Sequence, residues 1–346
     1  MSVEEHCKLD KVDKELLQHL QDKFPVDKRP WAEIGGRLGI AEEEVLSRSQ
    51  RLSSDGVIRK LRTILDGQKL GACSSTLMAM RVPAEKMEEV VSIVNEYMSV
   101  THNYQREHDY NLWFTVTTCG GKDLRSTVEE IKGRTGIPDS DVLDLPTTRV
   151  FKIDVRFKFT DFKDNGEGEG KGEAKGVKVS RNTNTNRSTN TPDETDQVIL
   201  RTMQNGIPLI KDPFEGVAKE AGISQAEMIG RLRKLISNGV IKRLGISVNQ
   251  RKVGIVANAV VAWKVPQEQV ESVGNTLSSY KEVTHCYERI TIPGKWEHNL
   301  FTVIHGYSRE SVEEMAKRMS EAVGIKEYLV MFSNEQFKRT SVMHPY

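Results

Sequence analysis

The stretch His102-Asn-Tyr-Gln-Arg-Glu-His-Asp-Tyr-Asn-Leu-Trp-Phe-Thr115 is echoed 183 residues further on by His285-Cys-Tyr-Glu-Arg289, followed after an insertion by Trp296-Glu-His298-Asn-Leu-Phe-Thr302. Working outward, the same offset matches Asp13 with Asp196, Pro25 and Pro30 with Pro208 and Pro213, and Gly39 with Gly222. It also matches Gly56-Val57-Ile58 with Gly239-Val240-Ile241, Gly71 with Gly254, and Val82-Pro83 with Val265-Pro266. The 346 residues are a tandem duplication whose two halves are expected to share one fold. Halves tethered in one chain meet at high effective concentration, so they are expected to dock as an intramolecular pseudo-heterodimer. A further homo-oligomer is compatible with that.

Each half reads in two parts. In the first, the apolar spacing of Asp13-Lys-Glu-Leu-Leu-Gln-His-Leu predicts a helix capped by Asp10 or Asp13. Pro30 opens a second helix, Gly39-Ile40 makes a tight turn, and 43–54 forms a third helix ending before Asp55-Gly56. With a strand pair following, beginning at Ile58, this is a winged helix-turn-helix. The second part alternates strand, helix, strand, strand, helix, strand, a ferredoxin-like βαββαβ order. Two helices cover one face of its sheet, leaving the other for a ligand or for the partner half. The expected class is α+β, with winged modules at 1–66 and 195–249, ferredoxin-like modules at 67–163 and 250–346, and a linker at 164–194. The linker lacks Ile, Leu, Met and aromatic residues, so it buries too little to offset the entropy of ordering.

Fifty Lys and Arg against 49 Asp and Glu give a net charge of +1, without the basic excess of a dedicated nucleic-acid binder. The longest apolar run, Ile255 to Trp263, is far short of a membrane span. Met1-Ser2-Val3-Glu4-Glu5 has no signal-peptide character, so a cytoplasmic location is expected. Cys7, Cys73, Cys119 and Cys286 are widely spaced with no CxxC pair, which speaks against both a disulfide framework and a thiolate zinc site.

Because strand side chains alternate, His102, Tyr104 and Arg106 project from one side, and His108 continues the row. His285, Tyr287 and Arg289 repeat it, and His298 and His305 follow, so five of the eight histidines fall in these two windows. Such rows also suit a solvated strand or the interface between halves. Their recurrence in two diverged copies favours a ligand that is flat, aromatic and anionic. Arg pairs bidentately with carboxylates, His transfers protons or ligates iron, and Tyr104, Tyr287, Trp113 and Trp296 can orient a group or wall it. No metal site built by the protein alone is expected. Arg106 lies five residues before Asn111 but Arg289 lies ten before Asn299, with Pro293-Gly294 marking the insertion, so the two sites need not be equivalent.

The third helix of the first half is a poor DNA reader, and that of the second is more basic. Glu42, Glu43 and Glu44 precede Arg48 and Arg51, and Glu227 precedes Arg231, Arg233 and Lys234, placing acid at the end that meets phosphate and bases.

A winged helix joined to a ferredoxin-like module resembles the leucine-responsive Lrp/AsnC regulators in both halves. The windows HNYQREHDYNLWFT and THCYERITIPGKWEHNLFTVIHG are more specific. They resemble the sirohaem (siroheme) decarboxylase family, the first half being similar to its B-type subunit and the second to its A-type subunit, here fused. That resemblance implies a carboxy-lyase that removes the C12 and C18 acetate carboxyls of sirohaem, yielding didecarboxysirohaem for haem or haem d1. No organic cofactor is implied, because the iron belongs to the substrate. Arg106, Arg289, Trp113, Trp296 and His305 are then the expected substrate-binding residues. His102, Tyr104, His108, His285, Tyr287 and His298 are the expected catalytic ones, with His102 or His285 the candidate axial ligand to the substrate iron. The alternative is an Lrp/AsnC-type or haem-responsive transcriptional regulator; nucleic acid is not the expected partner.

Overall fold

The structure, a computed structural model, describes residues 7–65, 73–119, 123–157, 159 and 192–340. It divides into two compact units, Met1–Leu70 with Arg156–Gly254, and Gly71–Val155 with Ile255–Pro345. Each unit takes one module from each half.

The helical unit contains α1 (Lys11–Asp22), α2 (Pro30–Leu38), α3 (Glu42–Ser54) and β1 (Ile58–Leu65) from the first half. The second half supplies α6 (Glu194–Asn205), α7 (Glu215–Glu220), α8 (Gln225–Ser237) and β6 (Ile241–Val248). Asp10 caps α1 by accepting from the Asp13 N–H at 2.7 Å, and Asp13 reciprocates in a capping box; Asp193 and Asp196 do the same for α6. Asp13, almost fully buried, also accepts from Arg48 and Arg51 of α3 at 3.0 and 2.6 Å, tying the first helix to the third. Gly39 turns the chain between α2 and α3 at φ +69°, a conformation that disfavours any side chain. Leu16, Leu17, Leu20, Trp31, Ile34 and Leu52 form a core with no exposed surface.

Among the described residues each winged module has a single strand, not a pair: β1 runs antiparallel to β6, with Thr63 opposite Leu244, so the two halves build one wing in common. The boundaries shift as well. Residues from Arg156 belong to the helical unit, where the Gln21 side chain bonds both the N–H and the carbonyl of Phe157. The proposed linker lies mostly outside the described residues, and its last two positions, Asp193 and Glu194, are the cap and first residue of α6.

The second unit holds β2 (Ser74–Met80), α4 (Met87–Glu96), β3 (Val100–Arg106), β4 (Leu112–Thr118), α5 (Leu124–Thr135) and β5 (Val142–Ile153). Its second-half counterparts are β7 (Ala257–Trp263), α9 (Val270–Ser279), β8 (Val283–Arg289), β9 (Leu300–Gly306), α10 (Arg309–Val323) and β10 (Tyr328–Arg339). The long last strand of each half serves both sheets. Residues 142–146 of β5 pair with β2 and the rest with β8; residues 328–332 of β10 pair with β7 and the rest with β3. These exchanges close a barrel in the order β10-β3-β4-β2-β5-β8-β9-β7. The sheet face left open by the helices therefore meets its partner, and Ala79, Trp113, Leu143, Leu145, Val260, Ala262, Phe301 and Met331 form one shared inner cluster.

Cys73 and Cys119 form a disulfide, against the expectation from spacing. Their sequence separation of 46 conceals that they flank the ends of the antiparallel β2–β4 pair, where Ser74 stands opposite Thr118. Cys7 and Cys286 are free. Among the described residues no helix is long and apolar enough to cross a membrane, and no group of three or more His, Cys, Asp or Glu is arranged to hold a metal.

Candidate active site

β3 and β8 carry the two polar rows, and a bulge after Val100 and after Val283 sets their facing. Val100 packs into the helix-side core, whereas His102 and Tyr104 stand opposite Thr115 and Trp113. The row is continuous: His102 and Tyr104 stack at 6.3 Å between centroids, and the Arg106 guanidinium lies 5.3 Å over the Tyr104 ring. In the second half His285 and Tyr287 are 5.7 Å apart, and Arg289 lies 5.2 Å over Tyr287.

Each arginine crosses to the other half. Nη1 of Arg106 donates to the Met331 carbonyl at 3.0 Å and the Ser333 hydroxyl at 2.9 Å on β10. Nη1 of Arg289 donates to the Leu145 carbonyl at 2.9 Å and the Thr147 hydroxyl at 3.0 Å on β5. Both are 6% exposed, the Nε of each is buried without a partner, and no carboxylate pairs with either among the described residues. Burial lowers both guanidinium groups to about 10, still well above neutrality, so each remains a cation. Such unpaired buried charge is costly unless an anion completes it.

His285 and Tyr287 are half-buried. Burial, reinforced by the nearby His102, His305, Arg339 and Lys152, pushes the His285 imidazole down to about 3. Burial together with Arg339 does the same to His305. Burial raises the Tyr287 phenol, so the ring stays protonated at neutral pH. His102, His285 and His305 thus share one neighbourhood.

His108 and His298 fall elsewhere. They line a cleft of about 640 Å³ with Arg81, Tyr110, Lys264, Lys295 and Trp296. The His108 ring stands 5.6 Å from Trp296, and Trp296 is 5.4 Å from Trp113 and 5.2 Å from His298. Burial lowers both imidazoles below their usual range. The cleft cations are largely occupied: Lys264 pairs with Glu297 and Glu327, and Arg81 with Asp141. Trp113 and Trp296 are not equivalents. Trp113 stands opposite Tyr104 as Phe301 stands opposite Tyr287, whereas Trp296 belongs to the insertion, where it forms a bridge with Ile292 around Gly294.

Sequence reasoning missed Thr284 and Arg339. Thr284 contacts His285 and His305, and Arg339 stands opposite His102 on β10. Strict alternation would set Thr284 and His285 on opposite faces, the bulge between Val283 and His285 breaks that alternation, and Arg339 reaches β3 only through the strand exchange.

This fold, with two helix-turn-helix modules and a barrel of two βαββαβ halves carrying polar rows, defines an AsnC-like ligand-binding protein, and residues 69–152 and 252–338 match the family model of the AsnC-like ligand binding domain. Residues 13–59 and 196–242 match a narrower model, the siroheme decarboxylase NirDL-like HTH domain. The siroheme decarboxylase of Hydrogenobacter thermophilus is 32% identical over 95% of this chain and 93% of its own. The siroheme decarboxylase beta subunit of Methanosarcina barkeri is 47% identical over 43% of this chain and 98% of its own, as one half of a fusion would be. A crystal structure of the siroheme decarboxylase NirDL in co-complex with an iron-uroporphyrin III analogue superposes with a TM-score of 0.67 at 28% identity, covering 96% of this chain and 94% of that one. The chain belongs to the siroheme decarboxylase family, as a fusion of its two subunit types.

Proposed function

We propose that the chain is a carboxy-lyase that removes the C12 and C18 acetate carboxyl groups of sirohaem, giving 12,18-didecarboxysirohaem for haem or haem d1 synthesis, with no organic cofactor and in the cytoplasm. Family membership supports the reaction. The observation that carries the site assignment is the pair of buried arginines, Arg106 and Arg289, that lack a carboxylate partner. The histidine cleft is the weaker candidate because carboxylates already pair with its Arg81 and Lys264, and the Asp139 and Val142 carbonyls hold its Lys295.

In this reading each guanidinium takes a substrate carboxylate on its unpartnered Nε side, a charge-assisted contact that also relieves the buried cation. Tyr104 and Tyr287 back the guanidinium groups and fix their plane. Trp113 and Trp296 wall the barrel, and with His285 given the proton transfer, His102 is the remaining imidazole of the two rows that would meet the substrate iron. The C–C bond to the carboxyl breaks, carbon dioxide leaves, and the electron pair stays on the methylene carbon, spread into the macrocycle. His285, neutral when the site is empty, gains a proton from solvent as the polyanion enters and returns it to that carbon as a C–H bond. Converting an anionic acetate into a methyl removes the arginine's partner, so product is held more weakly than substrate.

The regulator reading has less support. Arg48 is occupied by Asp10, Asp13 and Glu44, and Arg231 by Asp193, Asp196 and Glu227, leaving those helices little charge for phosphate. Anaerobic incubation of the purified chain with sirohaem is expected to give a tetrapyrrole lighter by two carbon dioxides. Tight binding without mass loss would refute the reaction, and salt-dependent, sequence-selective duplex binding would revive the regulator.

A further inference from the structure

The two rows differ in how their histidines are held. Nδ1 of His285 lies 2.9 Å from the Thr284 hydroxyl, which lies 3.1 Å from Nε2 of His305 and 3.4 Å from the Val303 carbonyl. A hydroxyl has one proton, and a carbonyl only accepts. If the hydroxyl donates to Val303, both imidazoles must donate to it, and His285 carries its proton on Nδ1. Among the described residues no hydrogen bond reaches its Nε2, and the residue as a whole is half-buried.

The first half lacks this arrangement. Thr101 contacts Nδ1 of His102 at 2.9 Å, but the strand position equivalent to His305 is Thr117. The Thr117 hydroxyl turns instead to Ser75 at 3.2 Å. The imidazole that closes the clamp in the second half is a threonine in the first.

We propose that Thr284 and His305 are positioning residues that lock the His285 imidazole as the Nδ1–H tautomer, so that its Nε2 is the atom offered to the substrate acetate, and that the second half therefore governs turnover. This rests on the decarboxylase reading. Neither residue touches the reacting carbon; they act through His285, as an orienting partner fixes the tautomer of a catalytic histidine.

The test is steady-state decarboxylation of sirohaem under anaerobic conditions, with binding followed by the visible spectrum and folding by thermal melting. Thr284→Val is expected to lower kcat about tenfold or more with KM within about threefold, the pattern of an interaction lost in the transition state. Thr284→Ser, which keeps the hydroxyl, restores kcat to within about threefold, and His305→Gln, which keeps a donor, outperforms His305→Ala. A wild-type kcat in Thr284→Val, no rescue by serine, or an equal or larger kcat loss in Thr101→Val overturns the proposal while wild-type activity stands. Should Thr284→Val fail to fold, the serine and the two His305 variants decide the matter. An inactive wild-type chain is a different result, and it fails the decarboxylase reading itself.

Discussion

At the residue scale the decisive groups are Arg106 and Arg289, both buried, both clasping a strand of the other half, and both without an anion. A buried cation of this kind does not stabilise the empty protein; replacing such a charge by an apolar chain of similar length is often neutral. Arg289→Met is accordingly expected to shift unfolding free energy by no more than about 2 kcal/mol, since the orphaned Leu145 carbonyl offsets the removed charge. Sirohaem affinity is expected to fall by about ten- to a hundredfold, the worth of a charge-assisted pair. Chemical denaturation and a spectral titration check the two halves of that statement. The imidazoles give a pH signature. His285 and His305 titrate near 3 in the folded chain and near 6.5 when unfolded, so below about 6.5 the unfolded state binds protons that the folded state refuses. Stability is expected to fall continuously from about pH 6.5 toward 3, each group contributing at most about 1.4 kcal/mol per pH unit. Urea midpoints at pH 7 and pH 5 measure it, and His305→Gln should flatten the slope.

At the element scale, most of what positions the site could be read from the residues. The apolar spacing, the Asp caps, Pro30 at the start of α2 and Gly39 after it located the helices, because these signals are local. Period-two alternation found β3 and β8 and the shared face of each His–Tyr–Arg row. What stayed hidden depends on contacts between distant residues: the bulges that turn Thr284 toward its histidine, the common wing of β1 and β6, and the disulfide across β2 and β4. The matched Asp13 and Asp196 signalled a cap but not their second duty, anchoring Arg48 with Arg51 and Arg231. Asp13→Ala is expected to cost about 2 kcal/mol, above the roughly 1 kcal/mol of a lost cap, because it also removes the buried carboxylate that Arg48 and Arg51 share, although Asp10, Glu44 and Asp55 still pair with them. Asp10→Ala, which removes a more exposed partner, is expected to cost about 1 kcal/mol. Thermal melts of the two variants rank them.

At the scale of the whole molecule, the duplication was legible from the constant offset, and the pairing of halves followed from tethering; the closure of both sheets into one barrel did not, since it depends on β5 and β10 being long enough to change sheets. The barrel is held by strand pairing between the halves, not by the connection between them. Hydrolysis of the backbone between residues 164 and 191 is therefore expected to leave both fragments co-eluting and turnover within about twofold of the intact chain, because the interface already supplies the association. Size-exclusion chromatography and the sirohaem assay test this, and separated fragments would contradict it. The strand exchange also separates the map of function from the map of the sequence. The row of the first half is completed by Met331 and Ser333, and that of the second by Leu145 and Thr147. Lesions in β3 and in β10, far apart in the chain, should thus fall into one complementation group. Lesions in β3 and in the later part of β5, both in the first half, should fall into two. What is inherited as a half is not what works as a half, so neither copy is free to diverge without the other.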